Sequence, residues 1–230
     1  MSEQYSPTGF RVLPTVVKNL LIINILMFLA TFTLNRFHID LNDILGLHFF
    51  KASGFKPYQI VTYMFMHGNF EHLFFNMFAL WMFGATIENM WGPKRFLLFY
   101  MVCGIGAGLC QEGVQYIQYV TQLAAYQNVN VGGGMILSMD QYLNLMTTVG
   151  ASGAIYGLLL AFGMMFPNSM IYLYFFVPIK AKWFVIGYAV IELISGFVGG
   201  GNVAHFAHLG GMLFGLILIL HWKKKGELYG

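Results

Sequence analysis

The sequence predicts an all-α membrane protein, a bundle of six transmembrane helices with both termini in the cytoplasm. Three observations predict it. Of 230 residues, 58% are hydrophobic and only 9% charged, against roughly 25% charged in an ordinary soluble domain, and the mean hydropathy is +0.66. The charges fall between apolar stretches that each approach the roughly 20 residues needed to cross a bilayer. Finally, lysine and arginine are divided unevenly among the connections.

The predicted spans, in order, are Val16–Leu34, His72–Trp91, Phe96–Cys110, Val149–Phe166, Trp183–Val198 and Val203–Trp222. Met170–Val177 is apolar but too short to cross; it reads as an interfacial connector that Pro178 ends. With both termini inside, Arg11, Lys18, Lys94, Arg95, Lys180, Lys182, Lys223, Lys224 and Lys225 face inward, whereas only Arg36, Lys51 and Lys56 face outward. That is the asymmetry of the positive-inside rule. The whole chain, 1–230, reads as a single membrane domain with a polar segment at 1–15 and a long outer loop at 111–148. The polar stretch Met1–Leu13 has neither the apolar core of a cleavable signal nor an Arg-rich presequence pattern. The outer loop Gln111–Thr148 has no Lys or Arg, and its Gly132-Gly133-Gly134 run suggests a partly ordered cap with a hinge. In the other outer connection, Asn35–Glu71, the mixed pattern Asp40 to Leu47 suits the interface.

Composition also excludes. The net charge of +3 comes from scattered juxtamembrane residues with no basic stripe, so no nucleic-acid partner is expected. Cys103 and Cys110 are seven apart on one helix, about 10 Å along its axis, too far for a disulfide.

The candidate chemistry lies where polar residues open apolar spans. Ser152 stands in Gly150-Ala151-Ser152-Gly153 at the start of span four, and His208 in Ala207-His208-Leu209-Gly210-Gly211 near the start of span six. His72 and Asn76 occupy the first turns of span two. All three spans begin at the outer face, which puts these groups within roughly 10 Å of one depth. Intramembrane ionisable residues point to function. A serine hydroxyl is a weak nucleophile until a base takes its proton, and His is the usual base. Ser152 and His208 are therefore the expected nucleophile and base. The backbone N–H at Ser152, with His72 and Asn76 (i, i+4, one face), supplies oxyanion donors. Tyr156, one turn after Ser152, is placed to stack on the imidazole. Gly153 and Gly157, like Gly211 and Gly215, allow close helix approach. No Asp follows Asp140 and Glu192 sits deep in span five, so the expectation is a Ser–His dyad, with Glu192 a buried, hydrogen-bonded packing residue.

Competing motifs fail. A nucleophile elbow needs Gly at 154, where this chain has Ala. His67 and His72 are five apart, about 140° around a helix, and match no zinc-protease spacing. No metal or cofactor is expected.

On Gly150-Ala151-Ser152-Gly153, preceded by His67, His72 and Asn76 and followed by Ala207-His208-Leu209-Gly210-Gly211, the chain resembles the rhomboid intramembrane serine proteases. The resemblance covers nearly the whole chain in order and spacing. It implies a six-helix bundle that cleaves peptide bonds within or beside the transmembrane segments of membrane-protein substrates. It further implies Ser152 as nucleophile, His208 as base, His72 and Asn76 as oxyanion-hole donors, His67 as an organiser of the outer end of span two, and Glu88 as a structural acid. Where many members carry Trp-Arg in the first outer loop, this chain has Pro57-Tyr58-Gln59. The expected location is a bacterial inner (cell) membrane with the site near its outer face. His205 reads as cavity-lining or interfacial, His38, His48 and His221 as interfacial, and Trp81, Trp91, Trp183 and Trp222 as an aromatic belt. The rival readings are a catalytically silent protein that binds membrane substrates and a small transporter; the latter ordinarily shows repeats and midplane helix breaks, which this sequence lacks.

Overall fold

A computed structural model describes residues 9–173, 176–198, 204–226 and 228. Most of Met1–Leu13 and the predicted start of span six at Val203 lie outside them.

The first span is α1 (Thr15–Leu34). Its N-cap is Pro14, whose side chain caps nothing. The cap comes from elsewhere: the Glu88 carboxylate accepts the backbone N–H of Val16 at 2.9 Å and of Val17 at 2.8 Å. A carboxylate at a helix N-terminus satisfies orphan donors and opposes the helix dipole, which gives the structural acid its physical role.

The first outer connection holds α2 (Leu41–Leu45), capped by Asp40, then β1 (Leu47–His48) and α3 (Gln59–Thr62). Spans two and three form one helical run: α4 (Phe70–Ala79), a π-helical turn Leu80–Gly84, and α5 (Ala85–Gln118). The run is broken at Gly92, whose φ of 76° is open only to glycine at little cost, and Pro93 follows with the φ suited to a restart. Helix α5 thus runs well beyond the expected Cys110, because Gln111–Gln118 has no helix-breaking residue other than Gly113.

The outer loop is consequently shorter than expected and more ordered. It contains the hairpin β2 (Asn128–Asn130) and β3 (Ile136–Ser138), then α6 (Met139–Asn144) and β4 (Thr147–Thr148). The three glycines at 132–134, all with positive φ, make the hairpin turn. Strand β4 pairs antiparallel with β1, Leu47 opposite Thr148. Ser53 donates its backbone N–H and its hydroxyl to Asp140, Asn144 accepts the Gly54 N–H at 2.8 Å, and Glu112 accepts the Phe50 N–H at 2.7 Å. The two outer connections therefore form one cap. Gln59, in the Pro57-Tyr58-Gln59 departure, is 1% exposed. It donates to the Ile44 and Gly54 carbonyls and accepts from the Lys56 and His48 N–H groups. Its amide ties the loop together.

After α7 (Ser152–Met165) comes a correction. Met170–Val177 is not a simple connector ended by proline: β5 (Met170–Leu173) pairs with β6 (Val177–Lys180), with Pro178 opposite Tyr172. A two-stranded ribbon has outward edges, where a missing N–H is tolerated. The last helices are α8 (Ala181–Val198) and α9 (His205–Lys224).

By length and composition, four helical stretches among the described residues suffice to cross a membrane: Thr15–Phe37, Phe70–Leu123, Ala181–Val198 and His205–Lys224. Helix α7 is shorter and is enclosed by α5 and α9. In contrast, α8 buries only Ala181, Val185 and Glu192. Two further expectations change. Trp91 and Trp222 are buried, packed edge to face at 5.4 Å rather than belted at an interface. His48 is also buried, its Nε2 donating to the Asp43 carbonyl at 2.7 Å and its Nδ1 lying 3.2 Å from the Thr147 hydroxyl.

Candidate active site

The site begins with the chain turn before α7. Gly150 has a φ of 131°, and its N–H is held by the Tyr63 carbonyl at 2.9 Å. A Cβ there would lie 2.8 Å from the His72 ring, so only glycine fits, by conformation and by space. The turn delivers Ser152 as the first residue of α7, where the leading N–H groups have no intrahelical partner.

Helix α9 approaches α7 at backbone contact. A Cβ on Gly211 would stand 1.8 Å from the Gly153 carbonyl oxygen, and one on Gly157 would stand 3.1 Å from the Gly211 carbonyl oxygen. This approach brings His208 Nε2 to 2.8 Å from Ser152 Oγ. In the tautomer with the proton on Nδ1, the serine hydroxyl donates to Nε2. The Tyr156 ring lies flat on His208, with centroids 4.2 Å apart and planes 5° apart. The predicted stacking is present.

On the other side of Ser152, the His72 ring lies against Gly150. Its helix is started by Asn69, which accepts the His72 N–H at 2.8 Å. The Asn76 side-chain amide donates to the His72 carbonyl at 2.9 Å, so it is bonded along its own helix. His67 sits edge-on to His72, centroids 5.0 Å apart. Burial, and then the neighbouring His72, push the His67 imidazole down to about 3, leaving it neutral at ordinary pH.

Two contributors escape the sequence argument. Tyr63 belongs to no motif, yet its carbonyl holds Gly150 and its buried hydroxyl donates to the Gly104 carbonyl at 2.6 Å. The other is Glu192. It is a buried, hydrogen-bonded carboxylate as expected, but it also reaches the imidazole. Its Oε1 accepts from the Tyr156 hydroxyl and lies 3.0 Å from His208 Nδ1, while Oε2 is 2.6 Å from His205 Nδ1. His205 is therefore a partner of Glu192. Glu192 is six residues from the C-terminal end of α8, roughly 9 Å along its axis. Counted from that end, beside the start of α9, it is level with His208. A carboxylate well inside an apolar helix was the available signal. Glu192, His205 and His208 each offer a ligand atom within 4.8 Å of the others, a spacing that also suits a metal ion.

Comparison with known proteins agrees with the motif. The Rhomboid domain model matches residues 54–224. The chain belongs to the rhomboid family. This rhomboid is 28% identical over 199 residues to RHOMBOID-like protein 12, mitochondrial, of Arabidopsis thaliana, covering 85% of this chain and 55% of the relative. It is 29% identical to the Arabidopsis Rhomboid-like protein 11, chloroplastic, over 79% of this chain and 61% of the relative. Rhomboid protease AarA of Providencia stuartii is 30% identical over 168 residues, 67% of this chain and 52% of that protein. The chain thus spans little more than half the length of these relatives. Relatives from an organelle or a bacterium alike share the rhomboid name, and the apolar helices make this rhomboid an integral membrane protein.

Proposed function

We propose that this rhomboid is an intramembrane serine endopeptidase that hydrolyses peptide bonds within or beside the transmembrane segments of membrane-protein substrates. One observation carries the reading: a serine at a helix start, 2.8 Å from an imidazole nitrogen, at a turn that only glycine can form. Ser152 Oγ attacks the scissile carbonyl carbon and its proton passes to His208 Nε2. The carbonyl becomes a tetrahedral oxyanion, received by the Ser152 N–H, His72 and Asn76. The peptide C–N bond then breaks, the departing amine takes the proton from His208, and an acyl ester remains on Ser152. Water, deprotonated by the same imidazole, hydrolyses that ester. Tyr156 orients the ring, Gly150 and Gly153 set the approach, and His67 organises the entrance to α4. No step calls for a metal or cofactor.

The arrangement of the chain in the bilayer belongs to the same proposal. Gly92 divides the 70–118 run into two spans; with α1, α7, α8 and α9 these make six, in one membrane domain over 1–230. Both termini are cytoplasmic, and the site faces the outer side of a bacterial inner membrane, in keeping with the lysine and arginine distribution.

The test is cleavage of a single-span test substrate by purified protein in lipid. Ser152→Ala and His208→Ala each abolish cleavage while the protein inserts normally, and EDTA leaves the wild type active. Cleavage that survives Ser152→Ala and disappears with EDTA would overturn the reading.

A further inference from the structure

The carboxylate beside the imidazole is held from three sides by groups on two helices. Tyr156 of α7 donates to Oε1, His205 of α9 is bonded to Oε2, and His208 Nδ1 faces Oε1 at 3.0 Å. Glu192 is 6% exposed and His208 9%. A buried carboxylate without partners is costly, and Tyr156 with His205 supplies the donors that make Glu192 tolerable. Those two also fix its direction. The oxygen next to His208 cannot swing away without breaking both bonds.

The contact with His208 differs from those two. His208 Nδ1 forms no in-line hydrogen bond, because the carboxylate oxygen lies off its N–H axis. Stacking on Tyr156 sets the ring plane, and hydrogen bonding sets the carboxylate. What remains between them is charge at short range in a water-poor site, where such an interaction is strong. The charge matters at one moment. When Ser152 gives up its proton, the imidazole becomes a cation, and a fixed anion 3.0 Å away stabilises it.

We propose that Glu192 is a positioning residue for His208, a pre-fixed negative charge that stabilises the imidazolium formed when Ser152 attacks. The proposal rests on the Ser152–His208 reading above. Glu192 exchanges no proton and touches no substrate; His205 and Tyr156 hold it in place.

The experiment uses the full chain in lipid and compares wild type, Glu192→Gln and Glu192→Asp. Glutamine keeps the shape and an acceptor for Tyr156 but removes the charge. We expect kcat to fall roughly 10–100-fold with KM within about twofold, a part of the 10²–10⁴ that general-base chemistry contributes. Fluorophosphonate labelling of Ser152 slows in parallel, Tm stays near wild type, and Glu192→Asp recovers part of the loss. A second comparison guards against a folding defect. In a His208→Ala background, Glu192→Gln leaves residual labelling unchanged, because the base it serves is gone. A Glu192→Gln protein with wild-type kcat, or equal slowing of labelling with and without His208, would overturn the proposal. Neither result touches the parent reading, which fails if Ser152 or His208 is dispensable.

Discussion

Helix α9 meets two neighbours in opposite ways. Against α7 it packs backbone to backbone, with Gly211 where any Cβ would intrude to 1.8 Å of the Gly153 carbonyl oxygen. Against α8 it packs through side chains, Glu192 to His205 and His208, and Phe206 beside Gly196. Lipid is as apolar as a leucine side chain, so in a membrane close packing and polar bonds replace the hydrophobic drive between helices. The molecule uses close packing to fix Ser152 against His208, and polar bonds to fix Glu192 beside them. The first contact should be intolerant of volume, the second intolerant of lost charge.

Gly211→Ala tests the first contact and should have the largest effect. The added methyl forces α7 and α9 apart, and a misplacement near 1 Å costs about 10² in rate. Cleavage should fall by about that factor and Tm should drop, as overpacking usually costs about 1–3 kcal/mol. The same change at Gly196, where the new Cβ would meet the rim of the Phe206 ring at 3.0 Å and His205 Cβ at an ordinary 3.5 Å, should leave cleavage within about twofold, since a side-chain contact can shift. Equal losses at both sites would erase the distinction.

Asn76→Ala acts on neither helix contact. It removes one oxyanion donor of several, and because its amide holds the His72 carbonyl it also loosens that helix turn. Loss of one such donor typically costs about 10²–10³ in kcat; with His72 and the Ser152 N–H sharing the charge, a smaller loss of about tenfold is expected. A folded Asn76→Ala protein that cleaves at the wild-type rate would remove Asn76 from the oxyanion hole.

The smallest effect concerns stability alone. His67 has an imidazole pushed down to about 3 from the ordinary 6.5, so below pH 6.5 the unfolded chain binds a proton that the folded one refuses. Its contribution is complete above 6.5 and is lost progressively as pH falls toward 3. His67→Asn should flatten the dependence of Tm on pH in that window. An unchanged slope would mean that His67 takes up its proton in the folded state.

What could be read without the structure was what repeats or stands out locally. Apolar runs gave the long helices to within a few residues, except α5, where nothing but Gly113 interrupts the run after Cys110. Gly150 to Gly153 and His208 to Gly211 revealed the pair because each motif places a polar group and its packing glycines within four residues. Glu192 was legible as a buried, hydrogen-bonded carboxylate, but its nearness to His208 was not, because that depends on how α8 and α9 lie side by side. The pairing of β1 with β4 joins segments about 100 residues apart through strands of two residues, too short to carry an alternating pattern. Trp91 and Trp222 look like belt residues by position, and only their mutual packing shows otherwise.

Covalent labelling of the purified protein by a fluorophosphonate, followed by peptide mapping, tests the central claim most directly. An activated serine should carry the adduct on Ser152, with labelling absent in Ser152→Ala and strongly slowed in His208→Ala. A wild-type protein that cleaves its substrate yet takes no label at Ser152, or that labels equally fast without His208, would contradict it.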